Sequence, residues 1–251
     1  MIHIIVLIFV AVSLLKLLLV VAWPGLLMRR EGKRAAAALV SQFGSIESNA
    51  HVESIGSRLL AGTGLTAHFG VLQSPIRNAV ALPHGHILLW QGILDDINGD
   101  DDMLAGVIAH ELGHLQHGHF LERVQWAALA RFLLGVFGGG WMRRFLQSIA
   151  ATIITRGYSR AQENEADEAA LRLMQKAGFN PSGLARLLDH LAQSESGGGG
   201  LMGTHPAASN RAERIRQRLK LPAKPSKSKS KPKSNRAPEP RDNVIRFPGG
   251  R

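Results

Sequence analysis

The sequence His110-Glu111-Leu112-Gly113-His114 constrains the fold more than any other feature of this chain. It lies in a segment predicted to be a helix, which begins at the aspartates Asp100 to Asp102 and continues to about Val124. Residues four apart share one helical face, so His110 and His114 present both imidazoles on the same side. The opposite face is apolar, with Leu104, Ile108, Leu112 and Leu115. The pattern therefore predicts a central, buried helix whose inward histidines need a partner.

This spacing predicts a zinc centre with one ion per chain, in which His110 and His114 bind the metal and Glu111 reaches the attacking water. The 251-residue chain contains no cysteine, so any further ligand must be His, Asp or Glu. A catalytic zinc site takes three protein ligands and keeps its fourth position open for water. One more ligand is therefore required.

The carboxylates of a later helix supply the best candidate for the third ligand. The acidic residue that follows His114, Glu122, is rotated by roughly 80° from it on the predicted helix and cannot reach the same ion. A helical wheel of the later segment puts Glu165 on a charged, solvated face, whereas Glu163 and Asp167 fall on the apolar face. Carboxylates on an apolar face are costly unless a cation compensates them. We therefore predict Glu163 as the third ligand and Asp167 as a hydrogen-bond acceptor for a ligand histidine, with a surface ion-pair network as the alternative.

Four stretches of the chain carry a family resemblance: RNAVALPHGHILL, HELGHLQHGH, SRAQENEAD and THPAASNR. Over roughly Leu65 to Leu219 they resemble, in the same order, the zinc metallopeptidases of the HtpX, Oma and CAAX-prenyl-endopeptidase family. The resemblance implies an α+β, mostly helical gluzincin domain with a small edge sheet. It also implies that the three ligands predicted above bind zinc and that Glu111 is the catalytic base. One departure is His84-Gly85, which stands where the family usually has a glycine pair.

The resemblance places His205 near the metal. There it would either stabilise the tetrahedral oxyanion or occupy the open zinc position in a latent state, and a loop histidine capping a nearby helix is the alternative. His117 and His119 also follow the metal motif. We expect both to be structural histidines, with His119 on the other side of the helix.

These residues predict a membrane-anchored zinc endopeptidase that hydrolyses peptide bonds in unfolded or membrane-associated polypeptides. Glu111 takes a proton from the attacking water and passes it to the leaving amine, while His205 or Arg211 steadies the oxyanion. An extended substrate pairs by β-augmentation with a strand at the edge of the sheet, formed by Asn78, Ala79, Val80, Ala81 and Leu82.

Two alternatives belong to other classes. One is a catalytically idle zinc protein that holds misfolded membrane clients, with its basic tail on lipid or nucleic acid. Glu111 argues against it, because a structural zinc site has no use for a base. The other is a CAAX-type protease, which requires several membrane-spanning helices where this sequence offers one.

The first 25 residues predict a membrane anchor. Ile4 to Trp23 is a run of 20 residues whose polar members are Ser13 and Lys16, which is long enough to cross the hydrocarbon core of a bilayer. Arg29, Arg30, Lys33 and Arg34 follow it, so the positive-inside rule places the body of the protein on the cytoplasmic side. A cleaved signal peptide, and hence an exported enzyme, is the alternative.

The domain organisation follows from composition. We expect an anchor at residues 1–25, a zinc metallopeptidase domain at 30–221 and a disordered basic tail at 222–251. The tail has 9 Lys and Arg against 2 Asp and Glu and so supplies +7 of the net charge of +11. The body is thus not a basic nucleic-acid-binding domain, and no specific nucleic acid partner is expected, whereas the tail is suited to anionic lipid.

The remaining segments give coarser expectations. Arg34 to Leu60 has helical spacing with Gly44 and Gly56 as interruptions, and Leu65 to Leu94 reads as strands separated by turns. Phe132 to Met142 is apolar, yet its 11 residues are too few to span a membrane. We expect it to lie at the membrane interface or to form a flap over the active site, with Gly138 to Gly140 as its hinge.

Overall fold

A computed structural model of the chain describes residues 44–82, 85–122, 157–194, 201 and 205–222, with shorter pieces between residues 10 and 42. The predicted flap, the basic tail beyond residue 222 and His84 lie outside the described residues. Most of the predicted anchor lies outside them as well. Within the described part, no helix is long and apolar enough to cross a membrane.

The strands form one mixed sheet of four, in the order β1-β2-β4-β3. Strands β2 and β4 run parallel, whereas β1 pairs with β2, and β3 with β4, in antiparallel fashion. The bounds of the strands are β1 Ile46–Glu47, β2 His68–Leu72, β3 Ala79–Leu82 and β4 His86–Trp90. The region expected to form strands, Leu65 to Leu94, does so as far as Trp90, but its last residues from Gln91 onward begin a helix. Strand β3, which was predicted to receive substrate, lies at an edge of the sheet.

Six helices have bounds within the described residues, and the mostly helical α+β prediction is confirmed at this level. They are α1 Ala50–Leu60, α2 Gln91–Ile97, α3 Asp101–Gln116, α4 Arg160–Lys176, α5 Ser182–Ser194 and α6 Ala208–Leu219. Of the two expected interruptions in the first helical region, Gly44 has φ +96° and lies outside α1. Gly56 lies inside α1, where it is buried against the ring of Phe69.

Helix α3 is the centre of the fold, as its apolar pattern predicts. Asp100 caps its N-terminus by accepting a hydrogen bond of 3.0 Å from the Met103 amide, and the residues from Met103 to His114 are all buried. Two glycines allow neighbouring helices to approach closely. A Cβ atom on Gly106 would lie 3.0 Å from Leu184 of α5, and one on Gly113 would lie 2.6 Å from the Ala166 carbonyl oxygen of α4. The sequence thus places α4 directly against the metal motif.

The end of α3 differs from the prediction. The helix was expected to continue to about Val124, but it ends at Gln116. Gly118 adopts φ +67°, a left-handed conformation that closes helices and that favours glycine. A second helical stretch then begins at His119. This break in the helix places His119 next to the metal motif. An unbroken helix was expected to place it on the other side.

Candidate metal centre

Three predicted ligands converge on one buried point. His110 and His114 project from α3 and Glu163 from the first turn of α4. The Nε2 atoms of the two histidines are 3.1 Å apart, and they lie 3.5 Å and 3.6 Å from the two oxygens of Glu163. Ligand atoms about 2.0–2.1 Å from one tetrahedral zinc ion are roughly 3.3 Å apart, so the donor types and their spacing fit that ion.

His205 completes this group. Its Nδ1 atom lies 3.1 Å from His110 Nε2 and 2.9 Å from Glu163 Oε1, and the four side chains together form a buried set with metal-ligand spacing. His205 precedes α6, and its amide donates to the Leu201 carbonyl over 2.7 Å. The spacing of His205 is therefore that of a fourth ligand, at the position that a catalytic site leaves for water.

Asp167 lies one turn after Glu163 and contacts His110, one of the predicted ligands. Its Oδ1 atom is 3.1 Å from His110 Nδ1. Two arginines of α6 also bind it: Arg211 donates to Asp167 from Nε over 3.0 Å, and Arg214 donates from Nη2 over 2.8 Å. Arg211 also forms an ion pair with Glu163. The Arg211 guanidinium, expected to steady an oxyanion, is thus engaged by the two carboxylates.

Both buried carboxylates of the site are ionised. Burial opposes ionisation of Asp167, but hydrogen bonds from His110 and Arg211 outweigh it and lower the Asp167 pKa to about 2. Burial likewise opposes ionisation of Glu163, whose pKa is nevertheless lowered by His110 and His205. Burial, together with the neighbouring His110, lowers the pKa of His114. Burial and the neighbouring Arg211 lower the His110 pKa, but hydrogen bonds with the two carboxylates outweigh them and raise it to about 9. Carboxylate and imidazole together are donor types that suit a divalent metal.

Glu111 lies between the histidines and the edge strand. Its Oε2 atom accepts a hydrogen bond of 2.7 Å from the Ala81 amide of β3, and its Oε1 atom is 3.4 Å from His205 Nε2. The side chain is 1% exposed. The residue predicted to be the base is therefore held by the strand predicted to bind substrate.

Two residues at the site were assigned no role there. Tyr158 stacks on His114, with ring centroids 3.8 Å apart and an angle of 22° between the planes. His119 lies 2.8 Å from His114, measured between the two Nδ1 atoms. The sequence signal that could have placed His119 near His114 was Gly118, because a glycine after a helical pattern often ends the helix. His117, in contrast, is the exposed C-cap of α3 and is not part of the four-residue group.

A helix carrying His-Glu-His, a carboxylate from the next helix and an adjoining edge strand together define a metallopeptidase domain. The comparison with known families agrees: the model of peptidase family M48 matches residues 47–219. The chain belongs to that family, which confirms the resemblance drawn from the four motifs.

Individual relatives are metalloproteases by name. The chain is 29% identical over 163 residues to Metalloprotease LoiP and 31% identical over 163 residues to Metalloprotease YcaL, both from Escherichia coli K12. These alignments cover 62% of this chain and 64% and 63% of the two relatives. The mitochondrial metalloendopeptidase OMA1 of Schizosaccharomyces pombe is 27% identical over 180 residues, or 67% of this chain and 52% of that protein. The chain thus spans between about half and just under two thirds of the length of these relatives.

Proposed function

We propose that this protein is a zinc-dependent metalloendopeptidase with one ion per chain. The observation that carries the proposal is the convergence of His110, His114 and Glu163 on one point with Glu111 beside it. The two histidines and Glu163 would hold the ion. Family membership and the names of the relatives support the same activity.

The bound zinc ion would polarise the scissile carbonyl and acidify the attacking water. Glu111 takes the proton from that water and delivers it to the leaving amine, because its carboxylate lies beside the histidine cluster and is acceptor-only when ionised. Asp167 orients His110 through its outer nitrogen. Arg211 and Arg214 in turn fix Asp167 from α6.

The edge strand β3 is the proposed binding site for an extended polypeptide. Bonding residues alternate along an antiparallel strand, and the Asn78 carbonyl accepts from the Trp90 amide of β4, so the amides of Ala79 and Ala81 point away from β4. The Ala81 amide donates to Glu111 and the Ala79 amide to the Asn78 side chain. A substrate strand that pairs with Ala81 would therefore compete with Glu111 and free the base to meet the water.

A small cavity of about 10 Å³ lies beside the histidines. It adjoins His110, His205 and Arg211, and its other walls are aliphatic: Val107, Leu184, Leu187, Leu188, Leu191 and Leu201. This volume holds about one water molecule, so the substrate proposal rests on the edge strand and not on the cavity. Unfolded and membrane-derived polypeptides supply the extended backbone that pairs with an edge strand, which is why we propose them as substrates.

The described conformation is proposed to be a resting state. His205 lies in the fourth ligand position and also contacts Glu111, so it must move before water or substrate can reach the ion. A closed set of four ligands is also typical of structural zinc sites, and this favours a catalytically idle zinc-binding protein as the second candidate. The buried Glu111 distinguishes the two, because only an enzyme needs it.

One pair of variants tests the activity. Glu111→Gln should retain about one zinc ion per chain and lose nearly all casein hydrolysis, because Glu111 acts on water and does not hold the metal. Glu163→Ala should lose both zinc and hydrolysis, and Glu168→Ala on the exposed side of α4 should lose neither. Equal hydrolysis by the wild type and Glu111→Gln would favour the idle protein, whereas full zinc occupancy in Glu163→Ala would exclude the third ligand.

We also propose that the N-terminal segment anchors the protein in a membrane, with the catalytic domain on the cytoplasmic side. Described residues of this segment are helical, and their aliphatic side chains Val12, Leu14, Leu15 and Leu18 are between 44% and 63% exposed. Lipid would cover such an apolar surface. The chain should stay membrane-bound after carbonate extraction, and a processed product that begins near Trp23 would indicate export after cleavage.

A further inference from the structure

The outer nitrogens of the two helix histidines have different partners. His110 uses its Nδ1 atom to contact Asp167 directly, over 3.1 Å. His114 instead contacts a second histidine: its Nδ1 atom lies 2.8 Å from Nδ1 of His119. His119 is 3% exposed, and its Nε2 atom lies 3.0 Å from Glu165 Oε2 on the first turns of α4. A line of close polar contacts thus runs from the metal site to a carboxylate at the surface.

We propose that His119 and Glu165 are positioning residues for the ligand histidine His114, acting through two successive hydrogen bonds. This inference rests on the proposed metal site. If His114 binds the ion through Nε2, its proton resides on Nδ1 and is donated to His119 Nδ1. A neutral His119 then carries its own proton on Nε2 and donates it to Glu165. Each proton in the line has one donor and one acceptor.

His119 and Glu165 together orient His114 as Asp167 orients His110, and we call these two residues the relay. A carboxylate that accepts from the outer nitrogen fixes the tautomer and the ring orientation of a ligand histidine and raises its basicity. Here the Glu165 carboxylate acts through an intervening side chain, because the turn at Gly118 places His119 between Glu165 and His114. Tyr158 stacks on the His114 ring and limits its rotation, so the hydrogen bond mainly selects the tautomer.

A second metal ion is the competing interpretation of these residues, since His117, His119 and Glu165 also have metal-ligand spacing. The proton positions argue against it. An ion on His119 Nε2 would move that proton to His119 Nδ1, which would then face the protonated Nδ1 of His114 across 2.8 Å. Two donors at that distance repel each other, so the second site and a zinc ion held by His114 disfavour one another.

Zinc affinity of the full-length protein tests the relay. The dissociation constant is measured by competition with a chromophoric chelator, and thermal melting of the metal-free protein reports on folding separately. His119→Leu should weaken zinc binding by roughly 10–100-fold. His119→Asn should recover much of this loss, because its amide oxygen can accept from His114 in place of Nδ1. A merely structural histidine would not give that order, since leucine fills the buried space at least as well as asparagine.

Two further variants keep the test decisive if His119→Leu does not fold. Glu165→Ala changes a half-exposed residue and should weaken binding by roughly threefold, because water replaces part of the lost hydrogen bond. Glu168→Ala, the matched change on the exposed side of the same helix, should leave zinc affinity unchanged. The visible spectrum of the Co²⁺-substituted protein should shift in Glu165→Ala and not in Glu168→Ala.

The outcomes separate this proposal from the one before it. Wild-type affinity in His119→Leu, or equal losses in the leucine and asparagine variants, would overturn the relay while leaving the metalloendopeptidase intact. Two zinc ions per wild-type chain, with one lost in His117→Leu, would show a second metal site instead. A wild-type protein that binds no zinc would overturn both the relay and the proposed function.

Discussion

Gly113→Ala is the substitution whose consequence can be worked out most directly from the structure. A Cβ atom at this position would lie 2.6 Å from the Ala166 carbonyl oxygen and 2.9 Å from its Cα atom, both backbone atoms of α4. Ordinary contact begins near 3.4 Å, so α3 and α4 must separate by about 0.8 Å at this point. Glu163 and Asp167 lie on α4 on either side of Ala166 and would move with it.

Two effects of different size follow. Overpacking of this kind costs about 1–3 kcal/mol of unfolding free energy, which for a domain of this length lowers the melting temperature by roughly 3–9 °C. Metal ligands tolerate displacements of only about 0.2 Å, so zinc affinity should fall by tenfold or more. Denaturant unfolding of the metal-free protein measures the first effect, and chelator competition measures the second.

Gly106→Ala is the matched control on the same helix. Its Cβ atom would meet Leu184 of α5 at 3.0 Å, and α5 carries none of the proposed ligands. This variant should lose stability while its zinc affinity stays near that of the wild type. If Gly113→Ala binds zinc as tightly as Gly106→Ala does, the close approach of α3 and α4 does not set the ligand geometry.

Two further predictions concern the resting state and acid stability. His205→Ala should retain zinc and hydrolyse short peptides faster than the wild type if His205 blocks the fourth ligand position; slower turnover with unchanged zinc content would assign it to the transition state instead. Asp100 caps α3 and pairs with Arg186 over 2.8 Å, and although burial opposes its ionisation, its pKa is lowered by the Met103 amide and by Arg186. Its ionised form therefore adds stability above the unfolded pKa of about 3.9, and this is lost as pH falls through the lower folded value. Asp100→Asn keeps the cap and should show a smaller loss of unfolding free energy between pH 5 and pH 2, measured by urea titration; an identical loss would exclude Asp100 as a source of the acid sensitivity.

The sequence located the centre of this site because its main signals are local. The four-residue spacing of His110 and His114 is a property of a single helix, and so is the apolar face that contains Glu163 and Asp167. The edge strand was also predictable, because alternating short apolar runs between turn residues are typical of a small sheet. Each of these predictions depends on a single helix or strand. Within one helix or strand, the directions of the side chains follow from the period of the backbone.

What the sequence did not provide are contacts between elements and the path of the chain where an element ends. The predicted helix runs past Gly118 only if that glycine stays right-handed, and a one-residue change of handedness there moved His119 from the far side of the helix into contact with His114. The bond from the Ala81 amide to Glu111 joins residues 30 apart in sequence, and no periodicity encodes it.

The two arginines of α6 show why contacts between elements decide the chemistry of the site. Arg211 and Arg214 stand three apart on a short basic helix, a pattern that in isolation predicts a solvated surface. Their partner Asp167 is fully buried more than forty residues earlier in the chain, and its carboxylate is satisfied by both of them together with His110. Because two cations of α6 balance the carboxylates of α4, a divalent metal adds to a site whose negative charge is already partly neutralised, and its affinity depends on α6 as well as on the ligands. Removing Arg214 therefore has two opposing effects on zinc affinity. The loss of a positive charge strengthens zinc binding, and the displacement of Asp167 weakens it. We expect the second effect to be the larger, because the buried Asp167 carboxylate loses one of its three partners and reorients, whereas the half-buried Arg214 guanidinium is open to solvent in part and repels the metal only weakly.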